Sequence, residues 1–145
     1  MDKIDLKLID LLQKNARCSL KNLAKEVFLS TPAVSSRIFK LEESGVITGY
    51  SAHVDPLKLG YNIKAFINLE MSPKLKPKFY PFVAACPNVI ECNCVTGNYS
   101  MLITVEYHTP VELDIFIGEL QEFGNTQTQI VFSTAVENRG IDLSS

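Results

Sequence analysis

Three observations predict an α+β chain built in two parts. Residues 19–47 carry two short amphipathic segments joined by a tight turn, the second led by a serine and a proline. The apolar period changes from helical to alternating after Tyr61. Beyond that point the segments run strand, helix, strand, strand, helix, strand. The expected architecture is a winged helix-turn-helix over 1–50, a hinge over 51–61 and a ferredoxin-like βαββαβ domain over 62–145.

The elements follow in order. Ile4, Leu8, Leu11 and Leu12 recur at the spacing of one buried helical face, and Leu6 and Ile9 widen it. A helix from about Asp2 to Asn15 results, with Asp2 and Asp5 near its positive end and Lys14 near its negative end. Ser19 is the expected cap of a second helix, whose inward stripe is Leu20, Leu23, Ala24 and Val27. Ala24 is small, so two helices can approach closely there. Phe28, Leu29 and Ser30 form the turn. Ser30 or Thr31 caps the third helix, and Pro32 sits in its first turn, where a missing N–H costs nothing. Val34, Ile38 and Leu41 must face a core. The opposite face carries Pro32, Ser36, Phe39, Lys40 and Glu43, with Ser35 and Arg37 on its flanks. Gly45 is the expected C-terminal stop. Residues 46–56 read as two short strands around Gly49, a small wing, and 55–60 as the hinge.

In the second part, residues 62–71 alternate as a strand does. Leu75, Phe79, Phe82 and Val83 then take helical spacing, in a helix that Pro77 and Pro81 must shorten. Two β-rich runs flank the turn signal Gly97-Asn98-Tyr99. Pro110 opens an amphipathic helix with Leu113, Phe116, Ile117 and Leu120 inward, and the run from Gln127 to Glu137 is the last strand. One sheet face is left without helices, and Ile67, Val95 and Phe132 are expected on it. Such a face calls for a partner, and a two-fold copy of the chain is the simplest one.

Charge divides between the parts. Residues 1–60 hold nine Lys and Arg against seven Asp and Glu, whereas residues 61–145 hold five against nine. From Lys14 to Lys40 six bases face Glu26 alone. A polyanion would attract this end of the molecule and repel the other. The exposed face of the third helix combines short hydroxyls near its start with bases further along. Ser30, Thr31, Pro32, Ser35 and Ser36 can approach base edges or a thymine methyl, and Arg37 and Lys40 can reach phosphate or guanine. The partner that fits is double-stranded DNA.

Other function classes find little support. No run of eighteen apolar residues occurs, so no membrane span is expected. The first ten residues lack the features of a signal peptide, which makes the cytoplasm the expected compartment. Cys18, Cys86, Cys92 and Cys94 are then reduced. Cys92 and Cys94 share a strand face, and both read as small buried hydrophobes. With only His53 and His108 to assist, no metal site is expected. The glycines form no phosphate loop or dinucleotide fingerprint, so no cofactor and no enzyme activity is expected.

The run from Ile4 to Arg17, that from Ser19 to Tyr50, the segment DPLKLG, the loop VTGNYSMLI and Thr126-Gln127-Thr128 together resemble the Lrp/AsnC family of transcription regulators. The resemblance covers nearly the whole chain. It implies a DNA-binding head, a hinge, and a domain that senses a ligand and oligomerises as a homodimer, with octamers of four dimers. It also implies an effector, usually a free amino acid, held between dimers. The implied effector residues are Thr96, Gly97, Asn98, Tyr99 and Ser100, with Thr126, Gln127 and Thr128 from the last strand. The family loop commonly reads Gly-Asp-Tyr-Asp, whereas here it is Gly97-Asn98-Tyr99-Ser100. Both acids that would pair with an ammonium group are missing. Two alternatives are an effector-independent, nucleoid-associated architectural protein and a tetrapyrrole decarboxylase-like enzyme on the same fold. His53, His108 and Arg139 are too scattered to favour the latter.

Overall fold

Capping side chains decide where the helices begin in the computed structural model, which describes residues 1–143. Helix α1 (Lys3–Lys14) starts at Asp2, whose carboxylate accepts the N–H groups of Ile4 and Asp5, while Asp5 accepts that of Asp2. This reciprocal box satisfies donors that the helix itself cannot. Ser19 caps α2 (Leu20–Val27) through the Asn22 N–H. Ser30 caps α3 (Thr31–Glu43) through the Ala33 N–H, with Pro32 in the first turn.

The chain forms two compact units. The first comprises Met1–His53 and, among the described residues, 136–143; the second is Val54–Ala135. In the first, Leu8, Leu23, Ala24, Val27 and Val34 form a buried cluster, with Ile4, Leu11, Leu12, Cys18, Leu29 and Ile38 packed on it. Each fully buried Leu or Val contributes about 1.5–3 kcal/mol. Leu20 departs from the expected stripe and is 39% exposed. It is the first residue of α2, and a helical side chain leans toward the N-terminus, here past the end of the packed surface.

Helix α3 ends as expected at Gly45, whose φ of 72° an L side chain rarely adopts. The N–H of Gly45 donates to Glu42 O and those of Val46 and Ile47 both donate to Leu41 O. This closure removes the two strands expected around Gly49. The amides that would open a ladder are spent on the end of α3, and Tyr50 folds back to donate its hydroxyl to Glu42 at 2.8 Å. Residues 46–53 therefore run without strand pairing.

The C-terminal segment is fastened to α1. The Gln13 side-chain amide brackets Ile141, donating to its carbonyl at 3.0 Å and accepting its N–H at 2.9 Å. Gly140 makes room for that bracket, since a Cβ there would lie 2.5 Å from Gln13 Oε1. The tail thus packs with the first unit.

In the second unit, a 3-10 turn at Leu57–Leu59 leads into strand β1 (Ile63–Met71). The supposed hinge is fastened here: Gly60 O meets His108 Nδ1 at 2.7 Å, and the Tyr61 and His108 rings stack at 4.0 Å. Then follow α4 (Lys76–Ala84), β2 (Val89–Cys94), β3 (Met101–Tyr107), α5 (Pro110–Gln121) and β4 (Gly124–Ile130). The sheet order is β2-β3-β1-β4, all antiparallel. The α+β class and the βαββαβ order stand as expected. Phe79, Val83, Leu113, Phe116, Leu120 and Phe123 pack with Ala65, Ile67, Leu69, Ile103 and Val105 in one core.

Ile67 is fully buried in that core, so its expected place on the open face is corrected. Side chains alternate along a strand, and the buried positions of β1 are Ala65, Ile67, Leu69 and Met71. The open face carries Lys64, Phe66, Asn68 and Glu70, with Leu102, Thr104 and Glu106 of β3 opposite them. Val95 lies in the loop beyond β2, and Phe132, 99% exposed, lies beyond the end of β4. The last strand is correspondingly earlier than expected.

Candidate nucleic-acid interface and effector loop

The two faces of α3 separate cleanly. Val34 and Leu41 are buried and Ile38 is half-buried, whereas Thr31, Pro32, Ser35, Ser36, Phe39 and Lys40 are exposed. The Ser30 hydroxyl is also exposed but serves as the cap of α3. All these groups lie on one helix, so their relative positions are set by its geometry and not by loop conformation.

Arg37 is placed differently from expectation. Its Nη1 donates to Asp2 Oδ2 at 2.8 Å and to Asp5 Oδ1 at 2.7 Å, and the side chain is only partly exposed. The base that reads as a DNA contact is thus paired with the N-terminal box of α1. Nothing in the local sequence signals this pair, because 35 and 32 residues separate the partners. The arrangement also holds the Asp2 carboxyl below its ordinary value of 3.8, first through the Asp5 N–H and then through Arg37. A carboxyl depressed in the folded state stabilises above its unfolded pKa, and that contribution is lost as pH falls through the folded value. The α1 helix signal is therefore expected to hold at pH about 5 and to weaken below about 4. Asp2→Asn, which keeps a capping oxygen, should flatten that acid limb in circular dichroism.

Two further features of the head escaped the sequence reading. Phe28, in the turn, has φ 55° and ψ 43° and is 91% exposed. Tyr50 has its phenol pushed up to about 12 by burial and by the Glu42 carboxylate that accepts its proton.

In the second unit, the loop from Thr96 to Ser100 joins β2 to β3. Gly97 has φ 102°, Thr96 and Asn98 are exposed, and Tyr99 and Ser100 are half-buried. Ser100 is stitched to the end of β1. Its N–H donates to Leu69 O, and its hydroxyl lies within 3.3 Å of the Met71 N–H and of the carbonyls of Leu69 and Met71. Leu69 and Met71 pair on their other side with Thr126 and Gly124. The loop and the start of β4 therefore flank the same end of β1. The three expected residues of β4 do not share a face, because Thr126 and Thr128 lie opposite the buried Leu69 and Ile67, and Gln127 lies opposite Asn68 on the open side. Thr126 Oγ1 accepts from Gln121 Nε2 at 3.3 Å.

The cysteines are unpaired. Cys92 packs on the core, but Cys94 is exposed and its Sγ meets Lys76 Nζ at 3.6 Å. Among the described residues no three His, Cys, Asp or Glu side chains gather as a metal-binding group.

Comparison with known proteins follows the same division. Residues 1–48 match the model of winged helix-turn-helix DNA-binding domains, and residues 64–141 match that of the Lrp/AsnC ligand binding domain. The chain belongs to the Lrp/AsnC family. Over 135 residues it is 37% identical to the uncharacterised regulator YezC of Bacillus subtilis, covering 93% of this chain and 96% of the relative. LrpB of the same organism, an HTH-type transcriptional regulator, is 30% identical over 145 residues, 100% of this chain and 97% of LrpB. The solved structure of B. subtilis LrpC superposes with a TM-score of 0.89 at 26% identity, over 95% of this chain and 99% of that one. A Neisseria meningitidis transcriptional regulator in its L-Met complex shares the fold, with a TM-score of 0.93 at 23% identity, over 99% and 97% of the two chains. This Lrp/AsnC protein is a DNA-binding regulator of transcription with a helix-turn-helix head and a ligand-binding-type domain.

Proposed function

We propose that the exposed face of α3 enters the major groove of double-stranded DNA. Thr31, Pro32, Ser35 and Ser36, with Ser30 at the cap, approach base edges, and Lys40 meets the backbone. The observation that carries this reading is the sorting of α3. Val34, Ile38 and Leu41 turn inward, and hydroxyls, Phe39 and Lys40 are left to solvent on the other side. Arg37 acts in this scheme as a positioning residue that fixes α1 against α3, more than as a contact. The protein works as a regulator and not as an enzyme, in the cytoplasm. Copies pair through the open sheet face into dimers that place two heads on half-sites one helical turn apart, and four dimers form the octamer.

The test is a salt series on a duplex recovered by selection from a random pool. Lys40→Ala is expected to weaken binding about fivefold and to reduce the salt slope by about one phosphate contact. Unchanged affinity and slope would place the docking face elsewhere.

The second domain supports effector modulation by a free amino acid. Exposed groups of Thr96, Gly97 and Asn98 would meet the ligand's carboxylate, and Tyr99 with Gln127 would border it. The Neisseria regulator's L-Met complex shows that this fold holds such a ligand in that protein. A specific observation favours the effector-independent, architectural reading. The Ser100 hydroxyl is occupied by the backbone of β1, and Asn98 brings no charge for an ammonium group. Calorimetric titration with the twenty amino acids decides between them, heat with any one supporting the sensor.

A further inference from the structure

We propose that Phe28 is a specificity-determining DNA contact, its ring seated on the C5-methyl of a thymine at the entrance of the major groove. The inference rests on the docking of α3 described above and adds a contact that lies outside the helix.

Phe28 is held under two costs at once. Its backbone sits in the left-handed region, where a Cβ crowds the following carbonyl and glycine is the ordinary occupant. Among the described residues it is the one non-glycine with positive φ. The chain needs that conformation, because the Phe28 N–H and the Leu29 N–H both close α2 onto Ala24 O before Ser30 opens α3. It does not need a side chain there. The ring is 91% exposed, so it contributes almost nothing to the core of the head. A strained backbone carrying an uncovered aromatic is an outlier that points to a function met outside the free molecule.

The surroundings name the partner. Phe28 lies two residues before the Ser30 cap and four before Pro32, at the end of α3 whose hydroxyls face outward. Lys21 and Lys25, seven and three residues before Phe28 and so on the same side of α2, are exposed and outnumber the one acid of α2, Glu26. A polyanion with apolar spots matches an exposed ring set among lysines. In the major groove the apolar spot is the thymine methyl, for which phenylalanine is a suitable contact. A second protein would meet the ring with an apolar patch instead, and self-association is therefore followed in the same experiment.

Binding is measured on the selected duplex, with each thymine in turn replaced by deoxyuridine, which removes only the methyl. Phe28→Gly is expected to raise the melting temperature by about 5 °C through relief of the backbone. It is expected to weaken DNA binding about tenfold. Phe28→Asn, which tolerates the same backbone without a ring, should lose the same affinity. One thymine-to-uracil change per half-site should cost the unmodified protein about fivefold and the glycine variant nothing. Unchanged affinity in both variants overturns the proposal, as does a lower melting temperature for Phe28→Gly, which would make the ring structural. Equal uracil penalties in both proteins overturn the thymine assignment. A change in solution mass with unaltered DNA affinity assigns the ring to a protein contact and overturns it as well. Lys40→Ala separates the premises: loss of binding there with none at Phe28 sinks this inference alone, and no loss at Lys40 sinks the docking of α3.

Discussion

Gly124→Ala is expected to lower the melting temperature of the second unit by on the order of 15 °C, a loss of about 3 kcal/mol. Gly124 opens β4 opposite Met71, the last residue of β1. A Cβ built there lies 1.8 Å from Glu70 O, 2.9 Å from Glu70 C and 3.2 Å from Met71 Cα. All three are backbone atoms of the neighbouring strand, so no side chain can swing away. Relief requires β4 to separate from β1 at the point where α5 hands the chain back to the sheet. Phe123, which packs at 5.3 Å on the Phe79 ring, immediately precedes it and would move too. Gly118→Ala is the matched control. Gly118 is exposed on α5 with nothing within 4 Å of its would-be Cβ, so alanine should stabilise by about 0.5–1 kcal/mol. Thermal unfolding of both variants checks the pair, and equal melting temperatures would show that the β4 start gives way freely.

The contrast between these glycines marks what the amino-acid sequence makes legible. Periodicity places Leu8, Val34, Phe79 and Leu120 in cores and all nine main elements in order. Ser19 and Ser30 declare helix starts because their caps are local, each spanning three residues. Gly45 declares a stop for the same reason. Pairings between distant segments are not written this way. The wing around Gly49 reads as a hairpin, but the amides of Val46 and Ile47 are already taken by Leu41 O. The face of β1 was legible and misjudged, since every odd position from 63 to 71 is apolar, and that parity already assigns Ile67 to the core. Phe28 carries no composition signal, because its left-handed backbone follows from how α2 must end before α3 begins. The effector loop was located by resemblance. The stitching of Ser100 to β1, which decides what its hydroxyl is free to bind, belongs to the register of the sheet.

Arg37→Ala is expected to weaken DNA binding about thirtyfold, more than loss of the exposed Lys40. The reason lies in what remains. Arg37 offsets one of the two negative charges of Asp2 and Asp5 through one nitrogen, and its removal leaves both carboxylates beside the reading helix without that cation. Phosphates would then meet net repulsion at that edge of the head. Folding should suffer little, because the Asp2–Asp5 box that starts α1 does not depend on the arginine. The decisive variant adds Asp2→Asn and Asp5→Asn to Arg37→Ala. Asparagine keeps the capping oxygens and removes both charges. If Arg37 acts chiefly by offsetting the charge of the two carboxylates, the triple variant should regain most of the lost affinity. If Arg37 leaves the carboxylates and grips a phosphate in the complex, the triple variant should stay as weak as Arg37→Ala, with a salt slope smaller by about one. Filter binding or fluorescence anisotropy across a salt series separates the two outcomes, because only the first makes the acidic residues of α1 part of how α3 reads DNA.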